Sequence, residues 1–315
     1  MLKRICKKKI IISSIILLLI GILYKIPNKN NNDYNNIPKK ISYVNYELQT
    51  NEVYLLDENN YLTRVKIQTK YDKEKLVKEI LNILICNEDN DKIPNGFKCL
   101  IDKNTKINNV EIKNNTVKID LSKELFNTKT DEIIIESIIY SLTSIDNINN
   151  VIIYIDGKLL NKLPNMNINI KSPLDRGYGI NKKYEINDTK NITKTTIFYV
   201  NDSLDNTYYT PITLINNDTR DKIEIVIDEL SNKIVNNKLK SYLNNDTKVL
   251  NSHIKDNTMY VNFNENILDN FENNNILEEV IYTVALSIGE NYDIKNVFFD
   301  VNNKEIAKTT IKSLE

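Results

Sequence analysis

The sequence predicts an α+β fold built as two tandem β-α-β-β-α-β domains, each a small antiparallel or mixed sheet with two helices packed on one face, after an N-terminal transmembrane helix. Three observations predict it. "NTKINNVEIKNNTVKIDLS" at 104–122 returns as "DTKVLNSHIKDNTMYVNFN" at 246–264, an offset of 142 with seven of nineteen positions unchanged. Both copies alternate apolar and polar residues on either side of a polar turn, the signature of a half-buried hairpin. Runs with apolar residues three and four apart precede and follow each copy, as amphipathic helices require.

The elements follow in order along the chain. "MLKRICKKK", the basic tail 1–9, places five cations ahead of fifteen residues without a charge, "IIISSIILLLIGILY". At about 1.5 Å per residue this run reaches roughly 22 Å, so spanning roughly 30 Å of hydrocarbon needs extension to Ile26 and snorkelling by the flanking lysines. A retained anchor over 10–26 is preferred to a cleaved signal peptide, because no small-x-small site follows. The positive-inside rule puts its basic end in the cytoplasm and the rest outside the membrane, a single-pass topology. Residues 27–44 read as a disordered tether, since "NKNNNDYNNIPKK" has almost nothing to bury.

The first domain, 45–172, opens with two extended runs and then a helix with Leu76, Ile80 and Leu84 on one stripe. In the hairpin, Val110 and Ile112 share a face with Val117, Ile119 and Leu121, across an Asn114-Asn115 turn of residue types that tolerate left-handed backbone. A second helix starts near Ile133, with Thr130 as its cap and Asp131 and Glu132 in its first turn. A strand ending at an Asp156-Gly157 turn closes the unit. Residues 173–194, which hold Pro173, Gly177 and Gly179, form the interdomain linker. The second domain, 195–315, repeats the series. Its helix stripe is Ile223, Ile227, Leu230 and Ile234, and its hairpin face Ile254, Met259, Val261 and Phe263. Its second helix starts at Ile276, with Ile281-Tyr282 matching Ile139-Tyr140 at offset 142, and its last strand lies at offset 146.

Composition removes several classes of function. The 42 basic residues balance 42 acidic ones, so no field draws nucleic acid. One histidine and three cysteines without a CxxC leave no zinc site. Cys86 and Cys99 can pair outside the cell, although two buried thiols are the plainer expectation. His253 falls on the polar face of its hairpin at the position of Glu111, as an exposed strand histidine. Asp120 and Asp156 could form a glycosidase-type carboxylate pair. They become Asn262 and Asn302 in the second copy, and Asp156 suits its turn for backbone reasons. Glu74, Glu79, Glu278 and Glu279 read as a solvated face. With only six glycines and no GxSxG, HExxH or phosphate-loop motif, no catalytic, cofactor-binding or metal residue is assigned and no enzyme activity is expected.

"TKI" at 105–107, "VKIDLS" at 117–122, "IYSLTSIDNINNVIIYIDGK" at 139–158 and "INIKSPLDR" at 168–176 resemble the GerM domain of sporulation and germination proteins. "TKV", "MYVNFN", "IYTVALSI" and "NVFFDVNNK" in the second copy are a looser version. The resemblance implies a topology similar to ring-building modules and a structural, envelope-anchored assembly factor of the channel between mother cell and forespore. It implies partners among other sporulation envelope proteins, with self-assembly by head-to-tail stacking, and neither cofactor nor small-molecule substrate. Many relatives look like lipoproteins, whereas no cysteine follows the apolar run here. The alternative is a module that binds or cleaves peptidoglycan, whose mark would be a groove lined by aromatic residues.

Overall fold

Each repeat begins with a β-hairpin that leaves its own sheet. In the computed structural model, which describes residues 49–69, 73–86, 91–202, 207–232, 238–269 and 274–314, β1 (Gln49–Asp57) and β2 (Leu62–Thr69) pair antiparallel, as do β11 (Thr193–Asn201) and β12 (Tyr208–Asn216). The hairpins join through β12 and β2 into one sheet of order β13-β11-β12-β2-β1-β3. Its outer strands are β3 (Phe97–Lys98) and β13 (Leu239–Lys240). The order reads the same from either end once each strand is replaced by its repeat equivalent, so an approximate two-fold axis relates the repeats.

The rest of each repeat forms its own four-stranded sheet. In the first, the predicted hairpin is β4 (Ile107–Lys113) and β5 (Thr116–Leu121); β6 (Asn150–Ile155) lies parallel to β5, and β7 (Lys158–Leu159) closes the edge. In the second, β14 (Val249–Lys255), β15 (Thr258–Phe263), β16 (Asn296–Val301) and β17 (Lys304–Thr310) take the same order. The turns have the predicted left-handed backbone, with φ of 50° and 59° at Asn114 and Asn115 and 49° and 55° at Asp256 and Asn257. Between the repeats run β8 (Lys162–Leu163), β9 (Ile168–Asn169) and β10 (Lys183–Glu185), the last pairing parallel with β12.

The helices are α1 (Lys73–Leu84) and α2 (Asp131–Leu142) in the first repeat and α3 (Lys222–Asn232) and α4 (Glu278–Asn291) in the second. The expected arrangement, both helices on one face of a single sheet, is replaced by one in which α2 contacts both β1 and β6 and α4 both β11 and β16. This central placement explains why α2 is buried nearly all round. The predicted stripes are buried: Leu76, Ile80, Leu84, Ile223, Ile227 and Leu230 are at most 3% exposed, while Ile234 lies outside the described residues. Two apolar clusters, one per repeat, form the cores.

Several local expectations change. Ile254 is 51% exposed rather than buried. Thr130 makes no side-chain cap bond; Asp131 instead accepts from the Asn165 main-chain N–H and side-chain amide, both at 2.7 Å. The second helices align at offset 146, not 142. Tyr54 N–H donates to Ser141 Oγ at 2.9 Å and its equivalent Phe198 N–H to Ser287 Oγ at 2.8 Å, so Ser141 and Ser287 correspond and the matching Ile-Tyr pairs do not. Cys86 and Cys99 form a disulfide across 5.2 Å between Cα atoms, joining the residues after α1 to those after β3, in place of two thiols.

The described residues fall in one compact unit, Glu47–Glu315. Among them no helix is long and apolar enough to cross a membrane; the candidate span 10–26 and the tether lie outside them.

Candidate interaction surfaces and the joint between the repeats

The joint is built from residues at equivalent positions. Arg64 of β2 stands opposite Tyr209 of β12, and the next step of this register sets Thr63 against its equivalent Thr210, whose hydroxyls are 2.6 Å apart. Asp57 and Asn201, which also correspond, meet through an Asn201 Nδ2 to Asp57 Oδ2 bond of 2.6 Å. All four are fully buried, so each polar atom needs a partner. Asp57 further accepts from Asn59 N–H, Tyr61 N–H and Thr63 Oγ1. Tyr61 packs on the second core and Tyr208 on the first, its ring 4.8 Å from Phe97.

One more register step brings Pro211 opposite Leu62, where a proline cannot donate to the ladder. Asn181 from the linker fills the gap. Its Oδ1 accepts from Leu62 N–H at 2.9 Å, and its Nδ2 donates to Leu62 O and Pro211 O, each at 2.8 Å. Asn181 is itself held by Glu136 of α2, whose Oε2 accepts the Asn181 N–H at 2.8 Å. Burial pushes the Glu136 carboxyl up to about 7, although Lys182 at 3.3 Å pulls the other way. Lys182 also meets Glu132 at 2.7 Å.

A second clamp lies at the helix ends. Arg176 Nη1 bonds Glu290 of α4 at 2.5 Å, Nη2 bonds Ser144 Oγ at 2.8 Å and Nε bonds Thr143 Oγ1 at 3.0 Å. Its guanidinium lies over the Tyr140 ring, 4.8 Å from the centroid. At offset 146 Ser144 and Glu290 correspond, so one arginine bridges the symmetric helix ends. Glu52 is pushed up by burial, but the Arg64 charge and its 2.5 Å bond, with help from Arg176, carry the net shift downward.

The sequence candidates lie apart from this joint. His253 is exposed on β14 with its ring stacked on Tyr260, centroids 4.9 Å apart. Phe298 continues the row at 4.8 Å, with Lys308 beyond it. Asp120 accepts Gly157 N–H at 3.1 Å and Asp156 accepts Lys123 N–H at 3.3 Å, so both serve main-chain turns. Gly157 has a φ of 77°, the left-handed turn that the DG pair signalled. Glu74 and Glu278 are exposed, and Glu279 is half-buried. Glu79 departs from the solvated face: it is buried and paired with Lys92. The missed residues, Asn181 and Arg176, stood in the linker; only "SPLDR" hinted at Arg176.

A family profile described as "Germane: Sporulation and spore germination" matches residues 52–161 and again 196–307. The chain belongs to this family. It is 29% identical over 262 residues to the "Spore germination protein GerM" of Bacillus subtilis strain 168, covering 80% of this chain and 71% of the relative. Among solved structures it is similar to the "Tandem GerMN domains of the sporulation protein GerM from Bacillus subtilis", with a TM-score of 0.74 and 28% identity over 82% of this chain and 92% of that one. The doubling expected from the hairpin repeat is thus a tandem of two Germane units, and the family is one of sporulation and germination proteins.

Proposed function

We propose that this chain is a non-enzymatic assembly protein of the sporulation or germination envelope, held to the cell membrane by residues 10–26 with both repeats on the extracytoplasmic side. The observation that carries this reading is the use of its buried and half-buried polar side chains. Asp57, Asn201, Asn181, Arg176 and Glu290 all fix one repeat to the other. The outward faces of the two four-stranded sheets remain open, with Lys118, Ile152, Tyr260 and Phe298 only partly buried. Such a unit presents fixed surfaces to partner proteins. The Cys86–Cys99 disulfide agrees with an oxidising compartment outside the cytoplasm.

Head-to-tail stacking does not describe the joint inside the chain. The repeats meet like to like, and an isologous contact is closed. Any ring would therefore form through other surfaces, such as the sheet faces. Tagged full-length chain purified from sporulating cells should carry envelope proteins of the mother cell and forespore in stoichiometric amount; its recovery alone would sink the proposal.

One observation favours the peptidoglycan alternative: the His253, Tyr260 and Phe298 row on the outer face of the second repeat. Tyr260, however, has His253 on one side, 6° from parallel, and Phe298 on the other, which leaves its edge for a ligand rather than the broad face on which sugar rings stack. Retention of the chain by purified peptidoglycan, lost in Tyr260→Ala, would instead establish the alternative.

A further inference from the structure

We propose that the outer edge of β1 at Thr50 and Glu52 receives an extended, acidic segment of a partner protein by strand addition. This rests on the assembly reading and names the partner's chemistry at one place.

In an antiparallel ladder, alternate residues turn their N–H and C=O toward the neighbouring strand or away from it. Tyr54 points away from β2, because its N–H donates to Ser141 Oγ at 2.9 Å and its C=O accepts from Ser137 Oγ at 2.7 Å, both on α2. Leu56, two residues on, uses the same side to pair with Lys98 of β3. Glu52 and Thr50, two and four residues earlier, must turn the same way. Among the described residues no strand or side chain meets their main-chain groups there.

The second repeat shows what the position is shaped to hold. Thr196, the equivalent of Glu52, donates its N–H to Asn291 Oδ1 at 3.1 Å and accepts from Asn291 Nδ2 at 2.6 Å. One side-chain amide thus supplies the donor and acceptor that a peptide group of an added strand would supply. Asn291 corresponds to Ile145 in the first repeat, and isoleucine can do neither. In place of the amide there is a cavity of about 520 Å³, bordered by Thr50, Glu52, Lys66, Lys73, Ser144 and Lys312. Lys66, Lys73 and Lys312 outnumber the carboxylates Glu52 and Asp146 in its wall. Glu52 is matched by Arg64 at 2.5 Å, Asp146 by Lys312, and Lys66 donates to Leu314 O at 2.5 Å, so the excess positive charge at the rim is carried by Lys73. The pocket therefore favours an amide flanked by carboxylates.

The test uses the full-length chain, isotopically labelled, with the peptide Ac-VDTDV-NH2 and its basic counterpart Ac-VKTKV-NH2. Without peptide the amides of Thr50 and Glu52 exchange quickly and that of Thr196 slowly. Saturation with the acidic peptide slows Thr50 and Glu52 by about tenfold or more. Ile145→Asn, which installs the plug of the second repeat, slows the Glu52 amide without peptide and weakens peptide binding by about tenfold. Should that variant fail to fold, Lys73→Glu on the exposed rim decides: it weakens the acidic peptide several-fold and leaves Tm unchanged. No protection at millimolar peptide, equal binding of the basic peptide, or indifference to Lys73→Glu would each overturn the proposal. Loss of this edge with envelope partners still co-purifying removes only the present inference; their absence removes the assembly reading itself.

Discussion

The two repeats bury the same strands and expose different chemistry. On the outer sheet face the first carries Glu111 and Lys118, 3.6 Å apart, where the second carries His253 stacked on Tyr260. At the helix ends the difference is one of burial. Arg176 reaches across to Glu290, whose side chain is 6% exposed, while Lys312, following the second repeat, reaches Asp146 with both side chains more than two-thirds exposed. A like-to-like joint therefore does not carry equal energy on its two sides. The linker has been drafted into the first side, which is where the joint should be most sensitive.

Four substitutions sharpen or break that contrast. Arg176→Ala leaves Glu290 buried and unpaired and should cost about 3 kcal/mol in urea unfolding. Asn181→Ala strands the Leu62 N–H together with the Leu62 and Pro211 carbonyls, for about 2 kcal/mol, and should split a single unfolding transition into two as the repeats uncouple. A single transition with unchanged midpoint would refute the account of the joint. Glu136 sets a pH dependence. Its folded carboxyl titrates at about 7, above an unfolded value of 4.5, so the folded state holds the proton more tightly and stability falls as pH rises between those values. Glu136→Gln should flatten that decline, with its largest gain over wild type above pH 7 and little below pH 5, read from denaturant midpoints. Lys312→Ala, at the other helix end, should be indistinguishable from wild type because its pair with Asp146 is exposed.

Local features were legible in the sequence and pairings between distant segments were not. Asn114-Asn115 and Asp256-Asn257 announced their turns, since few residue types accept positive φ, and strand alternation named Val117, Ile119 and Leu121 as buried. Nothing in "EVYLLDENNYLTRVKIQ" told that this hairpin would pair with its counterpart about 145 residues away, because hydrophobic alternation states that a face is buried without saying against what. The recurrence of Ile-Tyr at offset 142 misled, since contact with β1 and β11 fixes the helix register through Ser141 and Ser287. Of the interface, only Arg176 stood in a motif; Asn181 acquired its role from the proline across the ladder, a relation visible only in three dimensions.

The meeting of Asp57 with Asn201 also bears on fidelity of self-recognition. Were two molecules to exchange partners so that a first repeat docked on another first repeat, the same geometry would press one aspartate against another, about 2.6 Å apart and sealed from water. Two such anions repel strongly in that setting. Replacing one acid by its amide turns the clash into a bond, so the joint selects a second repeat over another first repeat as its partner.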